Sequence, residues 1–178
     1  MYRSACLIFA LLLTACSSIP LSTMIKMRNF DQDSLQTLRA GDIRSRMTLP
    51  RGVGPDLEKT SLRVTLEFDK GEQQFSFPLE QLEQEDLILT GGLFSQDRLV
   101  SRYTLRLSEQ GAAQFTQMQQ SLQHNTPQSV GLSVSAILAR DESHTKGIMT
   151  LELKLKAQED YFVLIDEYAY EIGESKNY

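Results

Sequence analysis

Proton-transfer catalysis needs a titratable side chain held beside a partner, and the chain of 178 residues offers two histidines, His124 and His144. His124 ends a stretch of helical periodicity, where a cation complements the helix dipole. His144 lies in Asp141-Glu142-Ser143-His144-Thr145-Lys146, a polar connection between apolar runs. Carboxylates beside an imidazole attract divalent cations, but consecutive loop residues do not make the preorganised ligand shell of a metal site. The same loop contains Ser143-x-x-Lys146, the S-x-x-K spacing that some serine-nucleophile enzymes place at the start of a helix. The companion S-D-N-like and K-T-G motifs are absent, and a lysine in a polar loop stays solvated. G-x-S-x-G, H-E-x-x-H, P-loop and dinucleotide fingerprints are also absent. The expectation is a protein that is not an enzyme, with no catalytic, cofactor-binding or metal-ligating residues and no cofactor.

The spacing that does specify a chemistry surrounds Cys16. Met1-Tyr2-Arg3 supplies a short positive start, and Ala5 to Ala15 is almost unbrokenly apolar. That run has the size of a secretory h-region and falls short of the roughly 20 residues that cross a bilayer. At its end, Leu13-Thr14-Ala15-Cys16 resembles the bacterial lipobox. The resemblance covers the leader alone. It implies cleavage before Cys16, a diacylglyceryl group on the Cys16 thiol and, in a Gram-negative cell, acylation of the new amine. Ser17, where Asp would hold such a protein at the inner membrane, resembles the default that is passed to the outer membrane. At about 0.8 kcal/mol per buried methylene, three acyl chains exceed what stable anchoring needs.

The resulting organisation is a signal peptide over 1–15, a lipidated Cys16 and tether over 16–30, and a single periplasmic domain over 31–178. Cys6 leaves with the leader, so the only other cysteine is the acylated one. No intrachain disulfide is available, and the fold must rest on a hydrophobic core. The stretch Ser18-Ile19-Pro20-Leu21-Ser22-Thr23-Met24 also resembles the mature start of certain uncharacterised proteobacterial envelope lipoproteins, a likeness that carries no activity with it.

Composition narrows the class further: 41% hydrophobic, 23% charged, net charge -5. This is a globular composition, and its acidic balance gives no long-range attraction to phosphate, so a nucleic-acid partner is not expected. The charge is segregated. Residues from Cys16 to Arg51 hold six basic and three acidic side chains, while Gly52 to Tyr178 holds 11 and 20. Lys26, Arg28, Arg39, Arg44, Arg46 and Arg51 thus lie toward the anchored end, suited either to anionic headgroups or to a solvated strand face.

Hydrophobic periodicity predicts the elements that would position these groups. Ser17 to Thr23 reads as a short tether, and the more apolar Met24 to Phe30 as a segment that docks on the domain. Asp33 is expected to cap a helix over 34–40 ended by Gly41. A period of two predicts strands at 43–49, 62–68, 75–79 and 99–107, with Asp69-Lys70-Gly71 as a three-residue hairpin loop. Pro78 to Asp86 reads as an acidic helix or loop, and 87–89 as a brief strand. Ser108 caps a helix running to Gln123 with Ala112, Phe115, Met118 and Leu122 on one face. Strands at 130–138 and 149–155 are expected to form a long hairpin, followed by a terminal strand from Tyr161 to Ile165 running on to Ile172.

Strands with one polar face favour antiparallel pairing. The expected fold is α+β: a mostly antiparallel, twisted sheet of about six or seven strands with one main helix packed on it, a β-sandwich with a peripheral helix being the alternative. The expected function is a lipid-anchored envelope lipoprotein acting as a non-enzymatic binding or structural module at the outer membrane, held by its N-terminal lipid and meeting an envelope protein. The alternative is a carrier of an apolar ligand between sheet and helix. The surface expected to meet the partner is the last strand, where Tyr168 and Tyr170 offer rings and Asp166 and Glu167 a negative rim. A glutamine-rich face on the Ser108 helix is a second uncharged surface.

Overall fold

A computed structural model describes residues 18–92, 96–122, 126–139 and 146–171. Cys16, His124, the loop residues from Arg140 to Thr145, Ile172 and Tyr178 lie outside the described residues, so the readings placed on them are not addressed by it.

The described residues begin with helix α1 (Leu21–Arg28) and the short α2 (Gln32–Gln36). Strands β1 (Arg44–Pro50), β2 (Gly54–Pro55), β3 (Ser61–Phe68), β4 (Gly71–Leu89) and β5 (Arg98–Leu107) follow, then helix α3 (Glu109–Ser121). Strands β6 (Ser129–Ser135), β7 (Leu138–Ala139), β8 (Lys146–Lys154) and β9 (Phe162–Glu171) complete the order. Seven strands form one antiparallel sheet in the order β6-β3-β4-β5-β1-β8-β9, and β2 pairs with β7. The fold is the expected α+β arrangement of a sheet with one main helix.

The sheet is organised by β4, which spans 19 residues. Its first part pairs with β3, ending at Ser61↔Pro78, and its second part pairs with β5 from Leu79↔Leu107 onward. Pro78 sits at the changeover. Proline has no N–H to give a ladder, and there its carbonyl leaves the sheet to accept the Ser108 N–H at 3.0 Å. Helix α3 starts from that point: the Ser108 hydroxyl accepts from the Gly111 N–H at 3.0 Å. Its buried stripe, Phe115, Met118 and then Leu122, closes over β4, where the rings of Phe77 and Phe115 meet edge to face at 5.3 Å between centroids. Leu35, Ile43, Met47, Leu49, Leu62, Leu66, Leu105, Leu151 and Leu153 fill the rest of a single core.

Several expectations change. Pro78 to Asp86 is strand, neither helix nor loop: Leu82 is skipped in the register between Gln81 and Glu83, and the bulge breaks the alternation that would have revealed it. The acidic side chains face arginines on β5 instead of water alone, Glu80 with Arg106 at 2.7 Å and Glu85 with Arg102 at 3.2 Å. The 130–138 and 149–155 segments do not form a hairpin; β6 pairs with β3, and β8 lies between β1 and β9. Asp69 and Lys70 form a two-residue turn, since Phe68 already pairs with Gly71, whose φ of +128° is open to glycine alone among common residues. Asp31, not Asp33, caps the short helix by accepting from the Ser34 N–H at 2.9 Å. Those hydrogen bonds hold the Asp31 carboxyl below its usual range. The helix stops at Gln36, and Gly41 lies inside a separate turn over Ala40–Asp42.

Residues read as tether belong to the fold. The Ser18 carbonyl accepts the Asp166 N–H at 2.6 Å, and the Thr23 hydroxyl donates to the Val163 carbonyl. Both bonds fall on the outer edge of β9. Among the described residues no helix is long and apolar enough to cross a membrane.

Candidate functional site

The terminal strand is the last in the sheet order, as an edge position for it requires, but its outer edge is only partly open. The contacts from Ser18 and Thr23 occupy two of its backbone groups. On its inner side, β9 departs twice from regular pairing with β8. Leu151 faces Ile165 and Met149 faces Tyr168, so Asp166 and Glu167 together oppose the single Thr150. Glu167 takes up the extra length with φ +42°, a left-handed conformation uncommon in residues with a side chain. This places its carboxylate on the Arg98 guanidinium at the start of β5.

The four residues expected to meet a partner therefore do different things. Tyr168 and Tyr170 keep the same sheet face, opposite Met149 and Gly147. Tyr168 is 48% exposed. Tyr170 is half-buried against the core and its hydroxyl, buried, has no hydrogen-bond partner. A Cβ at Gly147 would come within 2.5 Å of that oxygen, so the missing side chain makes room for the ring. Burial pushes the Tyr170 phenol above its usual range. Glu167 pairs with Arg98, and the nearby Glu171 pairs with Lys146 at 3.0 Å. The negative rim is thus largely offset by cations, and Lys146 of the S-x-x-K spacing is an exposed partner in an ion pair.

The basic residues between Lys26 and Arg51 are also dispersed. Lys26 pairs with Glu159, Arg39 with Asp42, Arg46 with Glu152 and Arg51 with Asp86. Arg46 further lies over the Tyr161 ring at 3.8 Å, and Arg44 donates to the Gly41 and Ile43 carbonyls. The six do not share one surface: Arg44 and Arg46 stand with Arg102, Arg106 and Lys154 on one face of the sheet, where Glu80, Glu85 and Glu152 are interleaved with them. Similarly, the glutamine face of α3 is partly consumed inside the protein, because Gln119 donates to the Leu35 and Leu38 carbonyls at 2.8 and 2.9 Å. It ties α2 to α3 where the intervening backbone is irregular.

A feature that the sequence reading passed over lies beside Glu167. The face of β1, β5 and β8 that carries Arg44, Arg46, Arg102, Arg106, Glu152 and Lys154 turns apolar at one end, where Pro50 pairs with Val100 and Ile148 follows Thr150 in alternation. Two adjoining grooves open there, of about 350 and 560 Å³, sharing Arg98 and Ile148. Ile148 is 40% exposed. The signal was present in the alternation: Val100 and Ile148 stand on the polar side of otherwise regular strands, and so at one level across neighbours they make an apolar break in a charged face.

Between sheet and α3 the space is filled by Phe77, Phe115, Met118 and Leu122, each at most 2% exposed. The adjacent groove, lined by Phe75, Phe77 and Met118 together with Gln74, Ser76, Gln114, Gln117 and Ser121, is open at the surface. Comparison of the chain with protein families, with curated proteins and with solved structures finds no match.

Proposed function

We propose that this chain is a lipid-anchored envelope lipoprotein that acts as a non-enzymatic binding module at the outer membrane, with Cys16 as its acylated first residue. The observation that supports a binding role is the apolar end of the charged sheet face, where the exposed Ile148 and the half-buried Pro50 are bordered by the Arg98–Glu167 pair. Apolar contact ringed by charge is how protein interfaces divide affinity from specificity. Anchoring would concentrate this surface near an envelope protein without adding a contact. The packing of Phe77 on Phe115 favours this reading over carriage of an apolar ligand between sheet and helix, for which that interval would have to open.

Fractionation and mass analysis of the mature N-terminus test the anchor: Cys16→Ala should leave a folded, unacylated protein that a salt wash removes from membranes. Retention of the unacylated variant would sink the lipoprotein reading. A photocrosslinking residue at Ile148 in the anchored protein tests the surface, with one discrete adduct expected in cells and none when the residue is placed at the exposed Glu72.

A further inference from the structure

Helix α1 carries its amphipathic stripe on the wrong side for a helix packed only on protein. Thr23, 2% exposed, faces β9 and bonds to Val163. Lys26, one turn on, pairs with Glu159 and lies over the Phe162 ring at 4.4 Å. The apolar residues Leu21, Met24 and Ile25, spaced i, i+3 and i+4, look the other way and are 72, 45 and 58% exposed. Arg28 continues that outward stripe at i+7. A surface helix ordinarily turns such a stripe toward the core; here the hydroxyl is inside and the hydrocarbon outside.

Position and charge identify what covers it. The Ser18 carbonyl is fixed to the Asp166 N–H, and Cys16 precedes Ser18 by two residues, at most about 7 Å of extended backbone. Leu21 can lie no more than about 18 Å from Cys16. An acylated Cys16 sits at the headgroup level, so the stripe is delivered to the layer between headgroups and acyl chains, where amphipathic helices rest. Arg28 stands at the end of the stripe, whereas Lys26, Arg39, Arg46 and Arg51 already face carboxylates. A cation flanking exposed hydrocarbon suits an anionic phospholipid.

We propose that the outward face of α1, formed by Leu21, Met24, Ile25 and Arg28, inserts into the interfacial layer of an anionic phospholipid bilayer and holds the domain flat on the membrane. This rests on the acylation of Cys16 for its proximity argument, and the test separates the two. The chain has no tryptophan, so Ile25→Trp introduces a single indole, with Gln117→Trp on the exposed face of α3 as the control. The full mature chain, starting at Cys16, is joined through that thiol to a thiol-reactive phospholipid and incorporated into vesicles of phosphatidylethanolamine and phosphatidylglycerol.

The indole of Ile25→Trp should emit at shorter wavelength in vesicles and be quenched by acyl-brominated lipid, at a depth of about 5–10 Å. Gln117→Trp should do neither. Adding Leu21→Gln and Met24→Gln should reverse the blue shift without lowering the melting temperature, because neither side chain enters the core. A folded Ile25→Trp protein whose indole stays unquenched and water-like in the vesicles overturns the proposal. So does an indole shielded only in cell envelopes and there crosslinked to a protein, which would make that protein the occupant. Since the lipid is attached chemically, finding no acyl group on the native protein would defeat the lipoprotein reading while leaving this result standing.

Discussion

Gly111 and Pro78 approach so closely that a Cβ on Gly111 would lie 2.5 Å from the Pro78 carbonyl oxygen. The contact joins the first turn of α3 to the point where β4 exchanges partners, and the oxygen is already held by the Ser108 N–H. Gly111→Ala would gain about 1 kcal/mol of helix propensity, but the clash is with backbone that cannot rotate away. We expect a net destabilisation of about 1–3 kcal/mol, as for other overpacked sites, read as a lower urea midpoint at unchanged slope. An unchanged midpoint would mean that α3 slides off β4 at no cost.

Tyr103 donates its hydroxyl to the Val53 carbonyl at 3.0 Å from a buried position. Tyr103→Phe should cost about 1–2 kcal/mol, since it leaves a buried carbonyl unpaired. Burial raises the phenol pKa above its usual value, with Asp86 adding to the shift and a Ser101 hydrogen bond opposing it. A raised folded pKa gives stability that is fully present below the unfolded value of about 10 and is lost as pH rises through the folded value. Tyr170 shifts in the same direction, by burial. Urea midpoints measured upward from pH 9 should fall less steeply in the Tyr103→Phe, Tyr170→Phe double variant than in the parent, where the decline includes both phenols.

Tyr168 and Tyr170 share a sheet face but should differ in what they contribute to stability. Tyr168→Ala removes an exposed ring and should shift stability by about 0.5 kcal/mol or less, while leaving the Ile148 crosslink in cells unchanged, because Tyr168 pairs with Met149 on the opposite sheet face. Tyr170→Ala opens a hole beside Gly147 and should cost about 3 kcal/mol, in the range for a large aromatic truncation. Equal losses of stability in the two variants would assign both rings to packing.

Alanine at His124, His144, Ser143 or Lys146 is expected to leave both stability and cellular phenotype unchanged. For Lys146 the structural reason is its pairing with Glu171, in which both side chains are mostly exposed; such pairs contribute about 1 kcal/mol or less. A deletion-like phenotype from any one of these variants, at normal abundance, would point to catalysis involving that residue.

The strands most legible in the sequence were those with an uninterrupted period of two. Leu62, Val64 and Leu66 are all buried, and Arg63 and Glu67 are exposed, as their alternation requires. The Ser108 helix was equally plain, because its cap and its Phe115–Met118 stripe agree. What escaped was set by distant partners. The acidic part of β4 reads as helix or loop until the arginines of β5 are placed opposite, and the bulge at Leu82 removes the remaining periodic cue. The pairing of β8 with β1 joins Lys154 to Arg44 across the whole intervening chain, and no local pattern encodes it. The edge position of β9 was legible from its place in the order. The cover supplied by Ser18 and Thr23, and the division of roles between Tyr168 and Tyr170, depend on a bulge that has no signature in the residue types.

The bond between Ser18 and Asp166 also dictates an order of assembly. A polypeptide is made from its N-terminus, and the β3–β4 hairpin, with its two-residue turn, can close as soon as it emerges. Strand β1, made earlier, must wait for β5 on one flank and for β8 on the other, and α1 has nothing to seat against until β9 has been delivered. Such long-range closures are slow and leave hydrocarbon uncovered in the interim. Helix α1, made before every strand, is therefore the last of these elements to find its place, and truncation anywhere before β9 would leave it undocked beside an otherwise half-built sheet.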